Sequence, residues 1–139
     1  MKKILMSWML AVVSVGPGFA DVKVVTVDQA AAKLKKDPKI VVVDIRTPGE
    51  FAGGHLKGAL NLDFNAEDFE KKLAKLDRKK TYLMHCMSGG RSTASIAVWD
   101  RLGFKNVLHL KAGAMGWKNQ GQPVVMPKEE KEEAGEKSE

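Results

Sequence analysis

The sequence predicts an α/β fold, a parallel sheet sandwiched between layers of helix. Two observations predict it. Strand-like and helix-like stretches alternate along the chain, which is the pattern of a layered α/β architecture. In addition, the run Ile40-Val41-Val42-Val43 is β-branched without interruption, as a strand covered on both faces is.

The elements follow in chain order. Val22-Lys23-Val24-Val25 alternates and is β-rich, so a first strand is expected. Thr26 and Gln29 have capping-box spacing, and Ala30, Ala31 and Leu34 make an apolar stripe that ends at Asp37-Pro38, which predicts a helix. The β-branched run is the second strand. An irregular stretch is expected over residues 46–57, then a short β-like segment, Ala59-Leu60-Asn61-Leu62. Helical spacing returns over residues 67–76, with Phe69, Leu73 and Leu76 on one side. Thr81-Tyr82-Leu83-Met84 reads as a buried strand that delivers His85 and Cys86 at its C-terminal end. A helix over residues 92–102 carries Ile96 and Trp99 and stops at Gly103. Val107-Leu108-His109-Leu110 is the last strand, and residues 115–120 form a short helix with Trp117.

With 139 residues, 44% hydrophobic and 29% charged, the chain suits one globular domain once its two ends are set aside. Lys2 and Lys3 precede an apolar run over residues 4–15, then Gly16-Pro17-Gly18 and Phe19-Ala20. That is the order of a secretory signal peptide, with cleavage expected near Ala20. An uncleaved anchor is the alternative, but the apolar run of about a dozen residues falls short of the ~20 a spanning helix needs. A periplasmic or otherwise exported protein is expected, meeting the membrane only during export. At the other end, "PKEEKEEAGEKSE" over residues 127–139 has no large apolar residue and is expected to be a disordered charged tail. Residues 21–126 remain for the folded domain, and no internal repeat or second domain is seen in them.

The formal charge of +6 becomes +7 for residues 21–126, once Lys2, Lys3 and the tail's net −3 are set aside. Such a basic body would permit nucleic-acid binding, but its lysines are scattered and lack interleaved aromatics. Attraction to anionic small molecules or partners is the simpler reading.

Cys86 is the only cysteine, which is unusual in an oxidising compartment, where cysteines come in pairs. It opens the stretch "HCMSGGRS", residues 85–92. Backbone N–H groups from Met87 to Ser92 can converge on one point, and the following helix adds its positive end. Gly89 and Gly90 allow the positive φ angles such a cradle uses, and Arg91 offers a planar donor fork for an anion. These features predict a Cys86 pKa below the usual value of about 8.5. The competing reading is a small buried hydrophobe at a strand end.

At these residues the sequence resembles the rhodanese family of single-domain sulfurtransferases. Cys86 to Arg91 fits the family loop CxxGxR. "VVVDIRTPGEFAGGHLKGALNL", residues 41–62, is similar to the family's first signature, with Asp44, Arg46, Glu50, His55, Gly58, Ala59 and Asn61 in place. "LKAGAMGWKNQGQPV", residues 110–124, is similar to its closing segment. The resemblance implies a rhodanese-like three-layer sandwich with a central parallel five-stranded sheet. It implies a Cys86 persulfide that takes sulfane sulfur from a donor and hands it to a thiol, cyanide-like or protein acceptor. Backbone N–H groups of Met87, Ser88, Gly89, Gly90, Arg91 and Ser92 would hold the anionic sulfur, the Arg91 side chain would orient an anionic donor or brace the loop, and no metal or organic cofactor is implied. The best-known family members that use thiosulfate carry basic residues directly after the cysteine. Met87 and Ser88 are neutral, so a less charged polysulfide or persulfide stands beside thiosulfate as the expected donor.

Other readings stay open. Arg46 and Glu50 could bind an anion, but a structural ion pair holding the loop is expected. Asp44 supports the site, accepting from loop N–H groups or Arg91, or serves as simple turn chemistry. His85 neighbours Cys86, yet adjacent strand residues point to opposite faces. His55, His85 and His109 lack metal-ligand spacing. A cysteine phosphatase of the same fold would read HCxxxxxR, with five residues between cysteine and arginine. Here there are four, room for one sulfur rather than a phosphate. A carrier module without turnover is the remaining rival.

Overall fold

The computed structural model describes residues 21–137. The expected signal peptide lies outside the described residues, as does the end of the expected tail. Strands β1 (Asp21–Val25), β2 (Val41–Asp44), β3 (Leu60–Asn61), β4 (Thr81–His85) and β5 (Asn106–Leu110) form one sheet. Its order is β1-β5-β4-β2-β3 and every pairing is parallel. This is the expected central sheet, with β4 in the middle and Cys86 just beyond its carboxyl end.

Strand alternation sorts the core into two layers. Val43 of β2, Tyr82 and Met84 of β4, Cys86 and Val107 of β5 face one side, against Phe69 and Leu73 of α3 (Phe69–Leu73) and Trp99 of α4 (Gly90–Arg101). Val42, Leu83, Leu108 and Leu110 face the other. They meet Val27 and Ala30 of α1 (Val27–Lys36) and Trp117 of α5 (Gly113–Asn119). Parallel register carries this alternation across the sheet: Asp44 lies beside His85, and Met84 beside His109. His109 therefore shares the α4 face with Met84 and Cys86, while His85 and Asp44 share the opposite one.

Local chemistry sets the helix ends. The Thr26–Gln29 capping box forms as expected, with Thr26 N–H to Gln29 Oε1 at 3.0 Å and Gln29 N–H to Thr26 Oγ1 at 3.1 Å. A second capping box, Thr47 with Glu50, starts a short helix α2 (Pro48–Ala52) inside the stretch expected to be irregular. The helix expected over 67–76 is shorter, α3 alone. After it the chain tightens into i→i−3 bonds, Lys75 N–H to Lys72 O and Leu76 N–H to Leu73 O.

The expected disordered tail is corrected over its first part: residues 127–136 form a helix, α6 (Pro127–Glu136). Composition alone misses two anchors on the body. His55 and Val125 exchange backbone hydrogen bonds at 3.0 and 2.8 Å. Beyond them Glu130 accepts from Gly58 N–H at 2.7 Å and lies 2.8 Å from His55 Nε2.

Candidate active site

Cys86 follows β4 directly and is 1% exposed. The chain then turns through Met87, Ser88 and Gly89 into α4, which begins at Gly90, two residues earlier than expected. Gly89 makes this turn with φ +100°, and a Cβ there would lie 2.5 Å from Lys111 O. Only glycine satisfies both conditions. The turn is held from the far side by α5, where Ala114 N–H donates to Cys86 O at 2.9 Å and Met115 N–H to Met87 O at 3.0 Å.

The expected cradle forms on the sulfur. Gly89 N–H donates to Cys86 Sγ at 3.1 Å, and Ser92 Oγ lies 3.4 Å from it. Burial pushes the thiol pKa up. The hydrogen bond shared with the Ser92 hydroxyl and those from the N–H groups of Ser92, Gly89 and Ser88 outweigh it, and the net shift is downward. The buried position alone would suit an inert thiol; the converging donors suit a thiolate.

Arg91 is close by but not free. Its Nη1 donates to Glu50 Oε1 at 2.7 Å and its Nη2 to Glu50 Oε2 at 3.0 Å, a bidentate pair. The hydrogen bonds from Arg91 are the main cause that holds the Glu50 carboxyl down at about 2, burial opposing and Thr47 assisting.

This corrects the expected pairing of Glu50 with Arg46. Arg46 is 1% exposed and pairs with Asp44 instead, Nη2 to Oδ2 at 2.7 Å and Nε to both oxygens at 3.0 Å. Its Nη2 also donates to Gly54 O at 2.9 Å. Asp44 thus accepts neither from the Cys86 loop nor from Arg91. The cause is alternation: Asp44 and Cys86 point to opposite faces of the sheet. Asn61 completes this structural knot, its Nδ2 donating to Asp44 O at 3.0 Å and Arg46 O at 2.9 Å.

His85 turns from the sulfur as strand geometry requires. Its Nδ1–H donates to Cys86 O at 2.8 Å, and Nε2 lies 3.8 Å from Asp44 Oδ2 with no hydrogen-bond partner. Burial lowers its pKa, against the raising effect of Asp44, so it sits as a neutral ring.

A family model for the rhodanese-like domain matches residues 26–120. The chain belongs to that family. This rhodanese-like chain is 29% identical over 100 residues to a sulfurtransferase of Allochromatium vinosum, covering 72% of this chain and 92% of that protein. It is 36% identical over 86 residues to a tRNA uridine(34) hydroxylase of Pelagibacter ubique, covering 61% of this chain and only 29% of that longer protein. Among solved structures, a rhodanese-related protein from Thermoplasma volcanium matches with a TM-score of 0.66 at 26% identity, over 75% of this chain and 98% of that one.

In this rhodanese-like domain Ser88, Gly89 and Ser92 supply the groups that meet Cys86 Sγ, and Arg91 in the same loop pairs with Glu50. Asp44 and Arg46 brace the neighbouring strand end rather than the sulfur. One contact was not expected: His109 Nε2 lies 2.7 Å from Ser92 Oγ. Its signal in the sequence is its place in the last strand, where the parallel register beside Met84 turns it toward α4.

Proposed function

We propose that this protein is a rhodanese-type sulfurtransferase that carries sulfane sulfur on Cys86. The observation that carries the reading is the cradle itself: a buried thiol whose sulfur receives the Gly89 N–H and faces the Ser92 hydroxyl. The four-residue gap to Arg91 keeps that cradle at the size of one added sulfur. The family and the sulfurtransferase among its relatives support the same activity.

In the first half-reaction the Cys86 thiolate attacks the sulfane sulfur of a donor X–S⁻. A Cys86 S–S bond forms, the S–X bond breaks, and its electron pair leaves with X. Cys86 now holds an anionic persulfide, which the loop N–H groups solvate. In the second, an acceptor thiolate or cyanide attacks the outer sulfur, the S–S bond breaks, and its electron pair returns to Cys86. No oxidant or reductant is consumed. Because Glu50 occupies the Arg91 fork, a persulfide or polysulfide suits the pocket better than the thiosulfate dianion. A cyanide assay that compares these donors tests the activity. Repeated thiocyanate release per Cys86 is expected; release of a single equivalent would favour a carrier serving one partner.

Export belongs to the same proposal. Lys2, Lys3, the apolar run and Ala20 support it, and cleavage before Asp21 leaves β1 whole. N-terminal sequencing of the secreted protein is expected to begin at Asp21.

A further inference from the structure

Behind Cys86, two buried side chains extend the hydrogen-bond chain away from the pocket. Ser92 Oγ lies 3.4 Å from Cys86 Sγ and 2.7 Å from His109 Nε2. Ser92 is 0% exposed and His109 1%, so solvent does not decide how the hydroxyl points. A serine hydroxyl carries one proton. Donated to His109, that proton leaves the Ser92 oxygen as an acceptor only, a partner for the thiol. Donated to sulfur, it stabilises the thiolate. The tautomer of His109 therefore selects the form of Cys86 that the site favours.

We propose that His109 is a positioning residue for sulfur transfer: its neutral Nε2–H tautomer donates to Ser92 Oγ and aims the Ser92 hydroxyl at Cys86 Sγ. Burial, and secondarily Lys111, hold His109 below the ordinary histidine pKa, which keeps the ring neutral. The purpose of this arrangement rests on the sulfurtransferase reading. Negative charge gathers on Sγ in both half-reactions, on the nucleophile in the first and on the leaving group in the second. One donor aimed there serves both steps. His85 cannot replace it, because its Nδ1 is spent on Cys86 O from the opposite face. The charged groups facing the pair are Arg91 from α4, itself held by Glu50, and Lys111 after β5. Asp44 and His85 lie on the other face, and a substitution at His109 leaves all of these in place.

Nitrogen NMR of the wild-type protein, at a pH where Cys86 is ionised, reads the tautomer directly. Nε2 of His109 is expected to carry the proton; an unprotonated Nε2 would overturn the proposal. His109→Leu is expected to weaken the acidity of the Cys86 thiol roughly tenfold, about one pKa unit, and to slow persulfide loading and discharge by a similar factor. His109→Gln places an amide N–H near the Nε2 position and is expected to restore most of the loss. Ser92→Ala should show the same rise, with His109→Leu adding little to it. A folded His109→Leu protein whose thiol titrates like the wild type would also overturn the proposal. Tautomer and thiol pKa are read without a sulfur donor. A protein that ionises as expected but never takes up sulfur would therefore sink the proposed function and leave the His109 assignment standing.

Discussion

Glu50 closes on Arg91 with both carboxylate oxygens, at 2.7 and 3.0 Å, so the only cation of the Cys86 loop already faces a carboxylate. The contact joins α2 to α4 across the mouth of the loop. It braces the turn and, under the proposed function, withdraws a charge that a dianionic donor would need.

Glu50→Gln removes the carboxylate charge while keeping the side-chain length and a capping partner for Thr47. The freed Arg91 is expected to raise kcat/KM for thiosulfate about fivefold relative to a persulfide donor. That is the effect of about 1 kcal/mol of charge interaction at a partly screened site. An unchanged donor ratio would show that the pair does not set the preference.

The same substitution has a signature in acid. The folded pKa of Glu50 is held at about 2, below its unfolded value of about 4.3. The pair therefore contributes stability that is fully present above the unfolded value and is lost as pH falls toward the folded one. Urea midpoints measured near neutrality and at roughly pH 3 should converge for Glu50→Gln more than for the wild type. Equal slopes in the two proteins would contradict this.

Gly89 carries the turn that puts an N–H on sulfur. Gly89→Ala forces a Cβ against Lys111 O and a side chain into a left-handed backbone. The N–H is expected to swing off Cys86 Sγ and the thiol pKa to rise. The pH dependence of iodoacetamide alkylation checks it: the wild type should reach half its maximal rate below about pH 8.5, and the variant at a higher pH.

Asp44 and Arg46 form a different kind of pair, fully buried at 2.7 Å. Asp44→Asn leaves a guanidinium inside the protein without its counter-charge, which costs about 3–5 kcal/mol. The urea midpoint should fall sharply. Cys86 in whatever folded fraction remains should titrate as in the wild type, because this pair does not touch the sulfur.

The frame of the molecule was legible where local pattern and tertiary structure agree. The β-branched run of β2, the Thr26 cap and the glycine-bearing turn after Cys86 each state their conformation within a few residues. The pairings were less legible. Arg46 and Glu50 sit four apart in the sequence and read as partners, yet a strand end and a helix point them in different directions. Arg91 comes from 41 residues further on to take Glu50. His109 carried no motif at all; only the register of β5 against β4 brings it behind Ser92. The helix α6 was hidden for the opposite reason. Its composition is that of a solvated segment, and its anchors, His55 and Gly58, lie 75 and 72 residues from Glu130.

The most direct test is the mass of the intact protein after exposure to polysulfide, followed by treatment with cyanide. A gain of one sulfur, located on Cys86, lost to cyanide and absent from Cys86→Ser, is the predicted result. A wild-type Cys86 that stays unmodified with polysulfide, persulfide and thiosulfate alike would contradict the proposed sulfur transfer.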